Sequence, residues 1–123
     1  SYSEQVSALT ISSNNLEIDL SKSQTFTLSL SDSITDFTLI NIPTESTSFT
    51  LKITQDSTGS RNVGIDTFKI GAGTTFPVYW PSGVVPIVTS TASKTDIYSF
   101  KIFDGSNIST VGMYGIVGGQ NFS

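Results

Sequence analysis

Apolar and polar side chains alternate with a period of two along most of this 123-residue chain. In "NNLEIDLS" Leu16, Ile18 and Leu20 alternate with Glu17 and Asp19, and in "TFTLSLS" Phe26, Leu28 and Leu30 alternate with Thr25, Thr27 and Ser29. "SFTLKITQ" sets Phe49, Leu51 and Ile53 against Thr50, Lys52 and Thr54. Successive side chains of a strand point to opposite faces, so each stretch predicts a β-strand with one buried face. A slip of one residue would turn the whole apolar set outward, which fixes each register firmly. "DFTLINIP" is apolar on both faces and stops at Pro43, which cannot donate to a ladder. "DIYSFKIF" puts Tyr98, Phe100 and Ile102 on one face and Ile97 and Phe103 on the other, which predicts a central strand covered on both sides. "DGSN" at 104–107 predicts a hairpin-type turn, after which "STVGMYGIVGG" resumes as a strand. The pieces at 68–70, 77–80 and 84–89 are broken by glycine and proline and predict edge strands and ordered loops. No stretch carries helical apolar spacing over more than a turn, so almost no helix is expected.

Eight to ten short strands with frequent turn signals predict one all-β domain over residues 1–123, an antiparallel β-sandwich with jelly-roll-like connectivity. Composition agrees with a hydroxyl-coated sheet surface: 21 Ser and 17 Thr stand beside only 13% charged residues. There is no cysteine and no histidine. Disulfides and thiolate zinc sites are thereby excluded, and the side chain most used as a general base or metal ligand near neutral pH is missing. These absences argue against an enzyme, and no cofactor or metal is expected. The net charge is −4 and the six Lys and Arg are scattered, so no basic stripe for nucleic acid forms. No apolar run is long enough for a membrane span, and Ser1–Thr10 has neither the basic start nor the apolar centre of a signal peptide.

The densest polar stretch is "QDSTGSR" at 55–61. Its residues are turn formers: Gly59 suits positive φ, Asp56 can accept from loop amides or pair with Arg61, and Gln55 closes the preceding strand. Gln55, Asp56, Gly59 and Arg61 therefore read as a structural turn. Glu17 and Asp19 share the outer face of one strand, and nothing in the sequence desolvates them, so they read as a solvated face rather than a carboxylate pair. Tyr79 and Trp80 precede Pro81, a setting that often leaves large rings at a loop rim where they could stack on a sugar, although an edge aromatic more often serves the core or a subunit contact. The closing "MYGIVGGQNFS" is a poor free end, and Tyr114 and Phe122 are expected to pack on the sandwich or on a neighbouring subunit.

Taken in order, "LEIDLSKSQTFTLSLSDSITDFTLINIP", "FTLKITQDSTGSRNV", "WPSGVVPIVTSTASKTDIYSFKIFDG" and "GGQNF" resemble a family of bacteriophage virion modules of marine and cyanobacterial phages, found at tail-fibre ends and in other particle-surface proteins. The resemblance covers about Leu16 to Phe122. It implies a non-enzymatic β-sandwich on the virion surface, as a capsid decoration, knob or tail-fibre tip. Members of the family are often trimeric, so the resemblance also implies a homotrimer in contact with other virion proteins, while the scattered charges and short apolar runs noted above speak against nucleic acid and membrane insertion. The alternative it leaves open is a tail-fibre module that binds a host cell-surface polysaccharide through Tyr79 and Trp80. Such modules often carry an aromatic after the "QDxTGSR" strand and another after the "DG" turn, where this chain has Ile65 and Ile108 or their neighbours.

Overall fold

The computed structural model describes residues 5–71 and 73–123. Eleven strands are present among them: β1 (Val6–Ala8), β2 (Ile11–Ser12), β3 (Asn15–Asp19), β4 (Thr25–Leu30), β5 (Asp36–Ile40), β6 (Thr47–Gln55), β7 (Phe68–Ile70), β8 (Thr74–Phe76), β9 (Val78–Tyr79), β10 (Thr95–Ile102) and β11 (Met113–Phe122). They form two sheets, a six-stranded one in the order β1-β4-β6-β10-β11-β9 and a five-stranded one in the order β2-β3-β5-β7-β8. The inward residues of β3, β4, β5, β6 and β10, with Phe68, Phe76, Trp80 and Met113, make one buried core.

Its centre is a run of rings joining the two sheets. Phe37 stacks on Phe68 at 4.7 Å between centroids, Phe68 meets Phe100 across the sandwich at 5.2 Å, and Phe100 stacks on Phe49 at 5.0 Å. Paired aromatics contribute beyond the area they bury, so this run ties the layers together.

The all-β sandwich expected from the alternation is the one the chain forms, but its wiring is wound rather than jelly-roll-like. From β3 to β7 the chain changes sheet at every step, so each strand returns beside the strand before last and runs the same way. β1 and β4, β4 and β6, β3 and β5, and β5 and β7 all pair in parallel. Parallel neighbours need a crossover connection, and here a strand of the opposite sheet supplies it where other folds use a helix. Antiparallel pairing enters through β2–β3, β7–β8, β6–β10 and β10–β11. Alternation dictates which face a side chain takes and is blind to strand direction, which is why antiparallel pairing was expected throughout.

A second correction concerns 104–112. In place of a hairpin turn, Gly105–Asn107 forms a 3₁₀ turn and Ile108–Val111 a single helical turn, α1, whose Ile108 is buried. Asp104 organises the turn by accepting from Ser106 Oγ at 2.8 Å and Asn107 Nδ2 at 2.9 Å. Strand β11 then begins at Met113.

Candidate functional site

The "QDSTGSR" loop is held by its own side chains. Gln55 is buried; its amide nitrogen donates to the carbonyls of Arg61 and Thr89, both at 2.9 Å, and its oxygen accepts from the Arg61 amide at 3.3 Å. Asp56 Oδ1 accepts from the amides of Thr58 and Gly59, while its Oδ2 lies 2.9 Å from Arg61 Nη2. The Arg61 hydrogen bond, with the Gly59 amide, holds the Asp56 carboxyl below the usual carboxylate range. Gly59 has φ +71, and a Cβ there would sit 2.8 Å from Ala92 N, so both backbone geometry and space require glycine. All four residues shape a connection between β6 and the 89–93 segment, with the Asp56–Arg61 pair partly exposed at its surface.

Trp80 and Tyr79, the pair that could have faced a ligand together, are separated by the fold, and Trp80 takes the core alternative. Trp80 is only 6% exposed, with its indole edge-on to Tyr98 and Phe100 in the core. Room for it comes from Gly115 on β11, where a Cβ would lie 2.7 Å from the indole. Tyr79 is the residue that faces solvent. Ile65 and Ile108 are both buried and serve the core.

Register builds a surface around Tyr79. β9 pairs in parallel with the start of β11, setting Tyr79 beside Tyr114; β11 sets Tyr114 beside Lys101 on β10, and β10 sets Lys101 beside Ser48 on β6. Cross-strand neighbours share a face, so these four form one row on the outer side of the six-stranded sheet. Tyr114 contacts Tyr79 at 5.3 Å and Phe103, edge to face, at 5.6 Å, while Lys101 Nζ lies 5.6 Å over the Phe103 ring. Ile116, two residues beyond Tyr114 on the same face of β11, carries the surface into the next row beside Ser99. Tyr114 is 50% and Ile116 54% exposed, and together with Phe103, Phe100, Lys101, Ser48 and Ser99 they line an open groove of about 560 Å³. Its lining is almost wholly carbon, which suits an apolar contact better than a sugar with its many hydroxyls.

The pattern that could have revealed this surface was the outward apolar position. Phe103, with Ile97, was read as a sign that β10 is covered on both faces, whereas Phe103 stands open beside Tyr114. Phe122, the second expected contact residue, ends β11 half-exposed, with its ring lying over Gly119.

The inner side of the same sheet hides a charge that sequence reading passed over. Asp96 is 1% exposed and shares the inward parity of Tyr98 and Phe100. Its carboxylate accepts from the Thr89 amide at 2.7 Å, the Tyr98 hydroxyl at 2.7 Å and the Asn121 amide at 2.8 Å, with Gln120 Nε2 at 3.4 Å. Three pieces of chain, the 84–94 loop, β10 and the end of β11, thus converge on one carboxylate. Burial and the neighbouring Asp96 push the Tyr98 hydroxyl well above its ordinary value, so it stays a proton donor. Among the described residues no group of three or more acidic, histidine or cysteine side chains is placed to hold a metal ion.

No family model, curated protein or solved structure matches this chain.

Proposed function

We propose that the chain is a structural module of a bacteriophage virion surface, working through assembly of copies as a homotrimer and through contact with other virion proteins rather than through catalysis. The observation that carries the reading is the unsatisfied apolar surface on and around β11: Tyr79, Phe103, Tyr114 and Ile116 are all exposed in the single chain. Contiguous apolar surface of this kind marks an interaction site. The hydroxyl-rich, charge-poor remainder of the sheet suits close packing against other protein.

Immunogold labelling of phage particles with antibody raised against the chain, beside light scattering of the purified chain, tests the reading. Surface label on particles together with an assembled species supports it. Particles that carry none of the protein would refute it.

The competing reading, a module binding host polysaccharide, now rests on Tyr79 without Trp80. Saturable binding on a glycan array, abolished by Tyr79→Ala with the fold intact, would replace the first reading with this one.

A further inference from the structure

The end of β11 is attached differently from its start. Up to Val117, which pairs with Tyr98, the ladder with β10 advances residue for residue. Beyond it β11 spends Gly118 with no counterpart before Gly119 pairs with Ile97, and then sets both Gln120 and Asn121 against Asp96 before Phe122 pairs with Thr95. Two bulges thus follow one another, and a bulge bends its strand and re-aims its side chains. Asn121 takes φ +61 on this course.

Little apolar burial holds the segment. No residue from Gly118 to Ser123 is buried, whereas Met113 and Gly115 at the start of the strand are. Phe122 turns its ring back over Gly119, so its contact is made within the segment. Attachment is polar: the Asn121 amide donates to Asp96 Oδ1 at 2.8 Å, Gln120 Nε2 donates to the Tyr98 hydroxyl at 2.9 Å, and Lys94 Nζ donates to Ser123 Oγ at 3.0 Å on the surface.

The loop leading to Thr89 is held in the same way. None of Pro81–Ile87 is buried. The Ile87 carbonyl accepts from Gln120 Nε2 at 2.7 Å, and the Thr89 amide donates to Asp96 Oδ2 at 2.7 Å. One buried carboxylate and one amide side chain therefore clasp both pieces. Beneath them β10 stays paired with β6 along its whole length, from Thr95 to Ile102.

Segments with few buried apolar contacts open at a free energy below that of the whole fold. We propose that Gly118–Ser123 is a hinged strap, latched by Asp96 and Gln120, that lifts away and frees the Val84–Ile87 loop with it while both sheets stay formed. The bulge at Gly118–Gly119 is the hinge, where small residues at an irregular strand end absorb the backbone rotation. Lifting bares the Thr95–Ile97 edge of β10, the Asp96–Tyr98 pair and the Thr89 amide to water. This device goes beyond the assembly reading and holds for the single chain.

Amide exchange read residue by residue by NMR, at one pH and across low urea concentrations, tests it. In the wild type the Thr89 and Asn121 amides should share one protection, at least tenfold below that of the β6 amides, and should respond little to urea. The β6 amides, released by unfolding of the whole domain, should respond steeply. Gln120→Ala, at an exposed position, removes the bonds to Ile87 and Tyr98, while both reporting amides keep Asp96 as their acceptor. It should speed exchange of Thr89 and Asn121 by the same factor, about tenfold. Thr89 and Asn121 amides that exchange only at the β6 rate, with its urea dependence, overturn the strap. Acceleration of Asn121 alone overturns its coupling to the loop. The wild-type measurement decides by itself should the variant not fold.

Discussion

Replacing Asp96 by Asn keeps the shape of the buried side chain and removes its charge. The amide has one acceptor atom where the carboxylate has two. If its oxygen keeps the bonds from Thr89 and Tyr98, its NH₂ group must face the Asn121 amide, donor against donor. That lost bond costs about 1–2 kcal/mol, and the bonds that remain lose their charge assistance, about 1 kcal/mol more. The expected loss is therefore about 2–3 kcal/mol. For a domain of this size the melting temperature should fall by about 10 °C, from the usual few degrees per kcal/mol. Thermal melts followed by circular dichroism read this directly, and a shift under about 3 °C would refute the view that the carboxylate ties the 84–94 loop and β11 to β10.

The pH dependence supplies an independent check. Burial pushes the Asp96 carboxyl up, but the Thr89 and Asn121 amides and the Tyr98 hydroxyl together lower it by more, so in the folded chain it lies below its ordinary value. A carboxyl depressed by folding stabilises the native state above its unfolded value, near 3.9, and the contribution disappears as pH falls through the folded value. The wild type should lose this stability below about pH 4, and Asp96→Asn should lose correspondingly less over the same range. Asp19, Asp36, Asp56 and Asp104 are also lowered and keep part of the acid sensitivity in both proteins. Parallel acid titrations would show the Asp96 contribution to be absent.

Gly115→Val places atoms where the Trp80 indole lies, and overpacking of this kind should cost about 1–3 kcal/mol. The chain has a single Trp, so a red shift of its fluorescence reports the indole being driven out, and an unshifted spectrum with unchanged stability would contradict the packing. In urea titrations Gln55→Ala should destabilise by about 2–4 kcal/mol, because it strands the buried partners of three hydrogen bonds. Arg61→Ala, which breaks a partly exposed ion pair, should change stability by no more than about 1 kcal/mol. Equal effects of the two would mean that the loop is held by charge instead of by the buried amide.

Side-chain parity made the inward rows legible: Leu16, Ile18, Phe26, Leu28, Leu30, Phe49, Leu51 and Ile53 are all buried where alternation put them. Strand direction was not legible, because a parallel and an antiparallel neighbour impose the same alternation. Of the two readings open for Trp80, ligand rim or core, local sequence could not select the core. Pro81 is a local signal for a loop, whereas the space that admits the indole is made by Gly115, 35 residues further on. Asp96 was legible and overlooked, since its parity with Tyr98 and Phe100 already aimed a carboxylate inward. The helical turn at Ile108–Val111 is too short for any periodicity to mark it.

β11 carries the sharpest conflict between pattern and place. Met113, Gly115 and Val117 occupy its inner face, and Tyr114 and Ile116 its outer face, so both sides are free of charge. Strands apolar on both faces ordinarily lie inside a sheet or beneath other layers. This one stands at an edge with both faces partly in water, and its neighbours Phe103, Val84 and Val85 are exposed as well. A sequence suited to an interior strand, found on the rim of the sheet, is what motivates the assembly proposed above. The glycines of β11 are already matched from within the chain, Gly115 by the Trp80 indole, Gly118 by Ile97 and Gly119 by the Phe122 ring, so what is left facing outward is the uncharged strand and the apolar groove beside Tyr114.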